Sequence, residues 1–289
     1  MANPKKRLPQ NKPGDFFVDE TCIDCDTCRI LAPKVFAESG EYSYVQAQPR
    51  DLQETRRTLQ ALLACPTHSI GTEGDQKATL ALGDFPLKLD ERIFYLGYAA
   101  EASFGARSYL LKIAEGYWMI ESPRWNLSLV KSLHAWGGLK GIFLSHQDDV
   151  ADADRYAREF GAKRVIHQLE LKAQPDAEEV LQGKGPWPLE KGMEAIFTPG
   201  HSAGHCSLWV DKTYLFSGDH LWYSRSRQDL GASKEVCWYD WPTQIESMEK
   251  LLNIDFEWVL PGHGRWFYDE KIKMKERLQK LIIWMKKQV

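Results

Sequence analysis

Near the start of the 289-residue chain, the stretch CIDCDTC sets Cys22, Cys25 and Cys28 at intervals of three, and a fourth thiol, Cys65, follows in ALLACPTHSI. Thiolate sulfur either cross-links or binds soft metals. The opening MANPKKRLPQNKPGDF has basic residues with no apolar stretch behind them, so it does not read as a secretory signal and predicts a reducing compartment. Metal binding is then the expected use of the thiols. A second group of chemically capable residues lies far downstream, in FLSHQDDVADAD, TPGHSAGH, LFSGDH and VLPGHG. Imidazole and carboxylate groups of this kind bind Zn²⁺ or Fe²⁺, and an open coordination position activates a bound water.

These residues need elements to hold them. Between the thiols, APKVFAESGEYSYVQAQP predicts a helical turn and a hairpin around Ser39-Gly40, and QETRRTLQALLAC has a helical apolar period leading into Cys65. From about Glu91 the pattern becomes strands alternating with helices: SYLLKI, YWMIES, KGIFLSH, KRVIH, MEAIFTPGH, CSLWV, TYLFSGDH and FEWVLPGHG as strands, and NLSLVKSLHAWG, ADRYAREFG and TQIESMEKLLN as helices. The polar residues gather where strands end, which is where α/β sandwiches build their sites. The stretch TEGDQKATLALGDFPLKLDE lacks a sustained period and reads as a linker, while residues 1–13 read as a polar, mobile arm. In the tail, Met274, Leu278, Leu281, Ile282 and Met285 share one helical face, expected to pack on the second domain.

The thiol pattern resembles a single-cluster bacterial-type ferredoxin. In that family the run C-x2-C-x2-C-x3-C-P supplies three ligands to one cluster and a fourth to another. Here Ala32-Pro33 keeps the proline without the thiol, and Cys65-Pro66 has the form of the distal ligand. Counting back from Cys65 gives Ala61, Thr58 and Thr55, so ligands for a second cluster are missing. The resemblance implies one [4Fe–4S] cluster on Cys22, Cys25, Cys28 and Cys65, in a domain over residues 14–80. Four irons are expected rather than three because Cys25 is present. A structural zinc site is the competing use, though such sites pair two close cysteine pairs.

TPGHSAGH, LFSGDH and VLPGHG, in that order, resemble the metallo-β-lactamase superfamily, glyoxalase II-like members included. The resemblance implies an αββα four-layer sandwich over residues 86–289, closed by a C-terminal helix, so that the chain as a whole is α+β. It further implies His201 as a metal ligand, Asp219 as a carboxylate able to bridge two metals, and His263 as a ligand of the second metal. The family's first motif, H-x-H-x-D-H, is altered. If His146 is its first histidine, Asp148 replaces the second, and Val150 and Ala151 replace the Asp-His pair. If His146 is the second, Leu144 replaces the first, and Asp148 and Asp149 follow. The second register is preferred because DDVAD then overlays the family's D-H-x-G-G run. The candidate metal ligands are therefore His146, Asp148, Asp149, His201, Asp219 and His263.

In both registers His146, His201 and Asp219 remain, two histidines and a carboxylate as in non-haem Fe(II) sites with open positions. Persulfide dioxygenases of the superfamily have such a mononuclear iron. The expected content is one [4Fe–4S] cluster plus one Fe or Zn ion. The expected activity is that of a redox-linked metal-dependent oxidoreductase or hydrolase, with a redox partner protein or a small-molecule substrate. The alternative is a non-catalytic electron-transfer or interaction protein with a degenerate second domain. A formal net charge of −3 argues against a nucleic-acid binder, and no apolar run is long enough for a membrane span. A cytoplasmic location is expected, with an organelle stroma as the alternative. His205 is expected to support its turn, and Cys206 and Cys237 to be buried apolar residues.

Overall fold

The structure, a computed structural model, describes residues 2–74 and 78–289. It divides into two compact units. The first comprises Met1–Tyr117 and Pro123–Gly138, and the second Trp118–Ser122 and Leu139–Val289.

In the first unit the hairpin around Ser39-Gly40 forms as expected, pairing Phe36–Ser39 with Tyr42–Val45. The helix Leu52–Ala64 is capped by Asp51, whose carboxylate accepts the Glu54 N–H at 2.8 Å, and it delivers Cys65 as its C-cap. Strands Phe16–Val18 and Ile70–Thr72 pair antiparallel and bring Cys65 close to the first three cysteines.

Two readings differ from the sequence expectation. The N-terminal arm is tied down: Leu8 is buried, and the Asn11 side chain donates to the Leu8 and Val18 carbonyls, both at 2.8 Å, while accepting from the Val18 and Val45 N–H groups. One asparagine closing four backbone bonds outweighs the polar composition that suggested mobility. The linker stretch is also structured where it is described, whereas residues 75–77 of it lie outside the described residues. Ala78–Asp84 is a 3₁₀ helix whose Asp84 accepts from Gln60 at 2.7 Å and pairs with Arg56. Phe85 then packs edge-on against Tyr95 and Tyr98, and the Ala99 N–H reaches the Ala64 carbonyl at 3.2 Å. Period analysis misses such a segment because its order comes from long-range pairs.

The second unit carries the strand-end motifs. A parallel set joins Gly116–Ile120, whose last residues lie in this unit, to Gly141–Phe143, Lys163–His167 and Glu179–Leu181. The other sheet has six strands: Trp187–Glu190, Met193–Phe197, Cys206–Val210, Tyr214–Gly218, Trp258–Pro261 and Phe267–Tyr268. The predicted helices appear as Ala153–Phe160 and Trp241–Leu251, and the tail as Lys271–Lys286. Met274, Leu278, Leu281, Ile282 and Met285 are all buried against Trp241, Ile245 and Met248, as the helical period required. Among the described residues no helix is long and apolar enough to cross a membrane.

Candidate cluster site and metal centre

The four cysteines converge. Cys22, Cys25, Cys28 and Cys65 line one small cavity with Val18, Ile23 and Ile70, and none is in a disulfide. Burial pushes the Cys22, Cys25 and Cys28 thiols up. Backbone amides oppose this: the Ser43 N–H points at Cys22 Sγ at 3.4 Å, and the Ser69 N–H at Cys65 Sγ at 3.3 Å. Four converging sulfurs, those of Cys28 and Cys65 buried and those of Cys22 and Cys25 half-buried, two of them with an aimed N–H donor, fit a metal–sulfur group, which stabilises the thiolates that burial alone would protonate.

In the second unit, His146 follows the strand Gly141–Phe143 by three residues, past the buried Leu144 and Ser145. Ser145 Oγ lies 2.8 Å from His146 Nδ1 and fixes the ring. His146 Nε2 then stands 3.7 Å from Asp148 Oδ2 and 3.7 Å from Asp219 Oδ2. His201 Nε2, in the turn after Met193–Phe197, stands 3.6 Å and 3.7 Å from the same two oxygens. Asp219 follows the strand Tyr214–Gly218. A Cβ at Gly218 would come within 2.4 Å of His205 Nε2 and 2.5 Å of Ser145 Oγ, so the close approach requires glycine. His263, after Trp258–Pro261, contacts both Asp219 oxygens through Nδ1, at 2.8 and 2.9 Å. Asp149 Oδ2 and Asp219 Oδ1 both face Gly262.

All six predicted ligands thus gather in one place. Donor atoms of His146, Asp148 and His201 form one group within 4.8 Å, and those of His146, Asp149 and Asp219 form another. The separations of 3.6–3.7 Å exceed a hydrogen bond. The His146 and His201 Nε2 atoms are buried without a hydrogen-bond partner, and a metal ion between them would satisfy both. The residues fit a metal.

The electrostatics suit ligation. Burial pushes His146 down to about 4, so the imidazole is neutral near pH 7. The adjacent His201 holds Asp148 below the usual carboxylate range. Burial opposes ionisation of Asp219, but the contact with His263 outweighs it and keeps Asp219 ionised. Glu121, at φ 54°, is pushed up to about 8 by burial, although the Ser145 N–H donates to both its oxygens at 3.3 Å.

Several participants carry no motif. Glu170, 1% exposed, accepts from the Gln147 N–H at 3.2 Å, Ser202 Oγ at 2.8 Å and the Gly204 N–H at 2.5 Å. It therefore ties the residue after His146 to the His201–His205 turn. Its stretch, HQLELKA, has no metal-binding pattern. Glu170→Ala leaves three donors unsatisfied, each costing about 1–3 kcal/mol. It should lower stability by at least ~3 kcal/mol in urea unfolding and loosen metal retention, with Glu170→Gln milder in both. His205 takes its expected supporting role, with Nδ1 3.0 Å from Thr198 Oγ1 and its ring stacked 4.0 Å from His220. Cys206 is buried as expected, and Cys237 is half-buried with Sγ 3.1 Å from the Gly200 carbonyl. Trp238 is 66% exposed, its ring centroid 6.3 Å from that of His201.

Burial also pushes His220 down to about 3. Above 6.5 neither folded nor unfolded chain protonates these rings, so stability is complete there. As pH falls from 6.5 towards 4, the unfolded chain takes protons that the folded chain refuses, and stability is lost. For His146 alone the loss is about 3 kcal/mol at ~1.4 kcal/mol per unit. Glu121 works oppositely: it returns about 3 kcal/mol over the same range, which offsets His146 but less than His146 and His220 lose together. Urea midpoints of metal-stripped protein should therefore fall between pH 7 and pH 4.5.

Residues 18–72 match the family model described as the 4Fe-4S single cluster domain of Ferredoxin I. That domain implies one 4Fe–4S cluster. The probable metallo-hydrolase YqgX of Bacillus subtilis is 35% identical over 106 residues, 35% of this chain and 46% of its own length. The lactamase-like protein adaB of Aspergillus niger is 32% identical over 88 residues, 30% of this chain and 25% of its own. The chain thus spans a quarter to under a half of the length of these relatives. The crystal structure of the DIM-1 metallo-β-lactamase is similar at a TM-score of 0.52 and 17% identity, covering 68% of this chain and 95% of that one. Beyond the ferredoxin domain, the chain has the metallo-β-lactamase fold. An iron–sulfur domain is therefore joined to a metallo-β-lactamase-fold domain with clustered side chains that could hold a metal ion.

Proposed function

We propose that this protein is a redox-linked, metal-dependent enzyme of hydrolase type. In this reading Cys22, Cys25, Cys28 and Cys65 hold the [4Fe–4S] cluster, and His146, Asp148, His201 and Asp219 hold one ion. The division of the chain at residues 80–86 belongs to the same proposal. The observation that carries it is the meeting of His146, Asp148 and His201 donor atoms within 4.8 Å, beside an ionised Asp219. That grouping favours the first register, in which Asp148 takes the place of the motif's second histidine, over the one preferred from sequence.

A bound ion would supply a Lewis acid and an acidified water at neutral pH. The residues themselves orient the site: Ser145 fixes the His146 ring, Glu170 ties the two ligand loops together, and His263 anchors the Asp219 carboxylate. Carboxylates among the ligands favour harder ions than an all-imidazole set does, which supports iron or manganese over zinc. The names of the relatives support hydrolysis, and the cluster supports a redox link, so an oxidoreductase at the same site is the close variant. A non-catalytic electron-transfer protein is the second reading, favoured by Asp148 and Asp149 standing in the altered first motif. The six cysteines, none in a disulfide, suit a reducing compartment such as the cytoplasm.

The test is hydrolysis of an ester, thioester and lactam panel by the full chain, with the histidine–carboxylate site stripped and reloaded with Fe(II), Mn(II) or Zn(II). Metal-dependent turnover abolished by His201→Ala supports the enzyme. No turnover under any loading favours the second reading.

A further inference from the structure

Residues outside the matched ferredoxin segment reach the cluster cysteines: Arg124 the Cys65 carbonyl, and Gly105 the Cys25 side chain. The Arg124 N–H donates to the Tyr98 carbonyl at 2.9 Å, and its guanidinium lies 5.7 Å from the Tyr98 ring centroid. The guanidinium donates to the Leu63 carbonyl at 2.6 Å, to the Cys65 carbonyl at 3.0 Å and to the Ala99 carbonyl. A fixed cation thus sits on the carboxyl end of the helix Leu52–Ala64 and on the backbone of a cluster cysteine. A second cation, Arg107, is 1% exposed and follows by two residues Gly105, which packs on Cys25. Gly105, at φ +82°, brings backbone against Cys25. A Cβ there would lie 2.7 Å from Cys25 Cβ, 3.1 Å from its Sγ and 3.1 Å from Pro66 Cγ.

We propose that Arg124 and Arg107 are positioning residues that raise the reduction potential of the cluster. The inference rests on the assignment of that cluster to Cys22, Cys25, Cys28 and Cys65. One-electron reduction adds one negative charge to the cluster, taken from an external donor, with no bond made or broken in the protein. The reduced cluster carries the extra negative charge, so a fixed cation nearby stabilises it more than the oxidised form, the more strongly the less water intervenes. The Arg124 fork also fixes the Cys65 backbone, which a lysine would do less well.

The experiment is an anaerobic redox titration of the full chain against dithionite, followed by visible absorption, with iron and sulfide measured in each sample. Arg124→Gln and Arg107→Gln should each shift the oxidised-to-reduced ratio at fixed potential at least tenfold towards oxidised. That corresponds to a midpoint about 59 mV lower per tenfold for one electron. Arg124→Lys should keep most of the wild-type midpoint, since it keeps the charge. Unchanged midpoints in both glutamine variants at full iron and sulfide content would overturn the proposal. If one glutamine variant cannot hold its cluster, the other decides by the same criterion. Loss of the cluster in both would make the arginines structural and would likewise overturn it. A wild-type chain without iron and sulfide would instead sink the cluster assignment beneath it.

Discussion

Replacing Cys65 with alanine is expected to strip or degrade the iron–sulfur cluster, with loss of the broad visible absorption and most of the acid-labile sulfide. Cys65 is the fourth sulfur of the cavity and the one brought in from a distance, by the cap of the helix Leu52–Ala64. The other three come from one short stretch, Cys22 and Cys25 in a loop and Cys28 in the helix Thr27–Leu31 that follows it. Without Cys65, one corner of the cluster has no thiolate, and the Ser69 N–H loses the sulfur it addresses at 3.3 Å. Cys206→Ala is the control. Its thiol is buried and points at the Gly204 carbonyl at 3.4 Å, so the variant should keep its full sulfide content. Equal sulfide in Cys65→Ala and wild type would refute the ligand assignment.

The second large effect is expected at His201. His201→Ala should abolish tight binding of the ion in the metallo-β-lactamase-fold domain, because its Nε2 faces both Asp148 and Asp219. Removing an outer hydrogen-bond partner of a metal ligand typically costs 10–100-fold in metal affinity, and removing a facing imidazole should exceed that. His263→Ala should weaken binding less. It contacts Asp219 at 2.8 Å but belongs to neither group of converging donor atoms. Equilibrium dialysis against Fe(II) or Mn(II) ranks the two variants; equal retention in both would contradict the assignment.

The legible parts of this protein were those encoded by local pattern. Three thiols at fixed spacing marked the cluster loop, and the alternation of strands with helices placed His146, His201, Asp219 and His263 at strand ends. The amphipathic face of Lys271–Lys286 could be read residue by residue. What escaped depends on residues distant in sequence. Glu170 works because folding sets it against Gln147, Ser202 and Gly204, up to 34 positions away. Asn11 pins an arm that composition alone makes look mobile. Arg124 reaches Leu63 and Cys65 from 61 and 59 residues downstream. The register of SHQDDVAD was ambiguous for the same reason, since spacing alone cannot say which carboxylate turns towards His201.

The central claim is that one chain carries an iron–sulfur cluster and, separately, a single metal ion on a histidine–carboxylate site. Elemental and sulfide analysis of the full chain, purified anaerobically and dialysed, tests it most directly. The expected result is about four irons and four sulfides per chain, together with at most one further transition metal that disappears in His201→Ala while the sulfide stays. Two equivalents of zinc retained through dialysis, with no acid-labile sulfide, would contradict both halves of the claim.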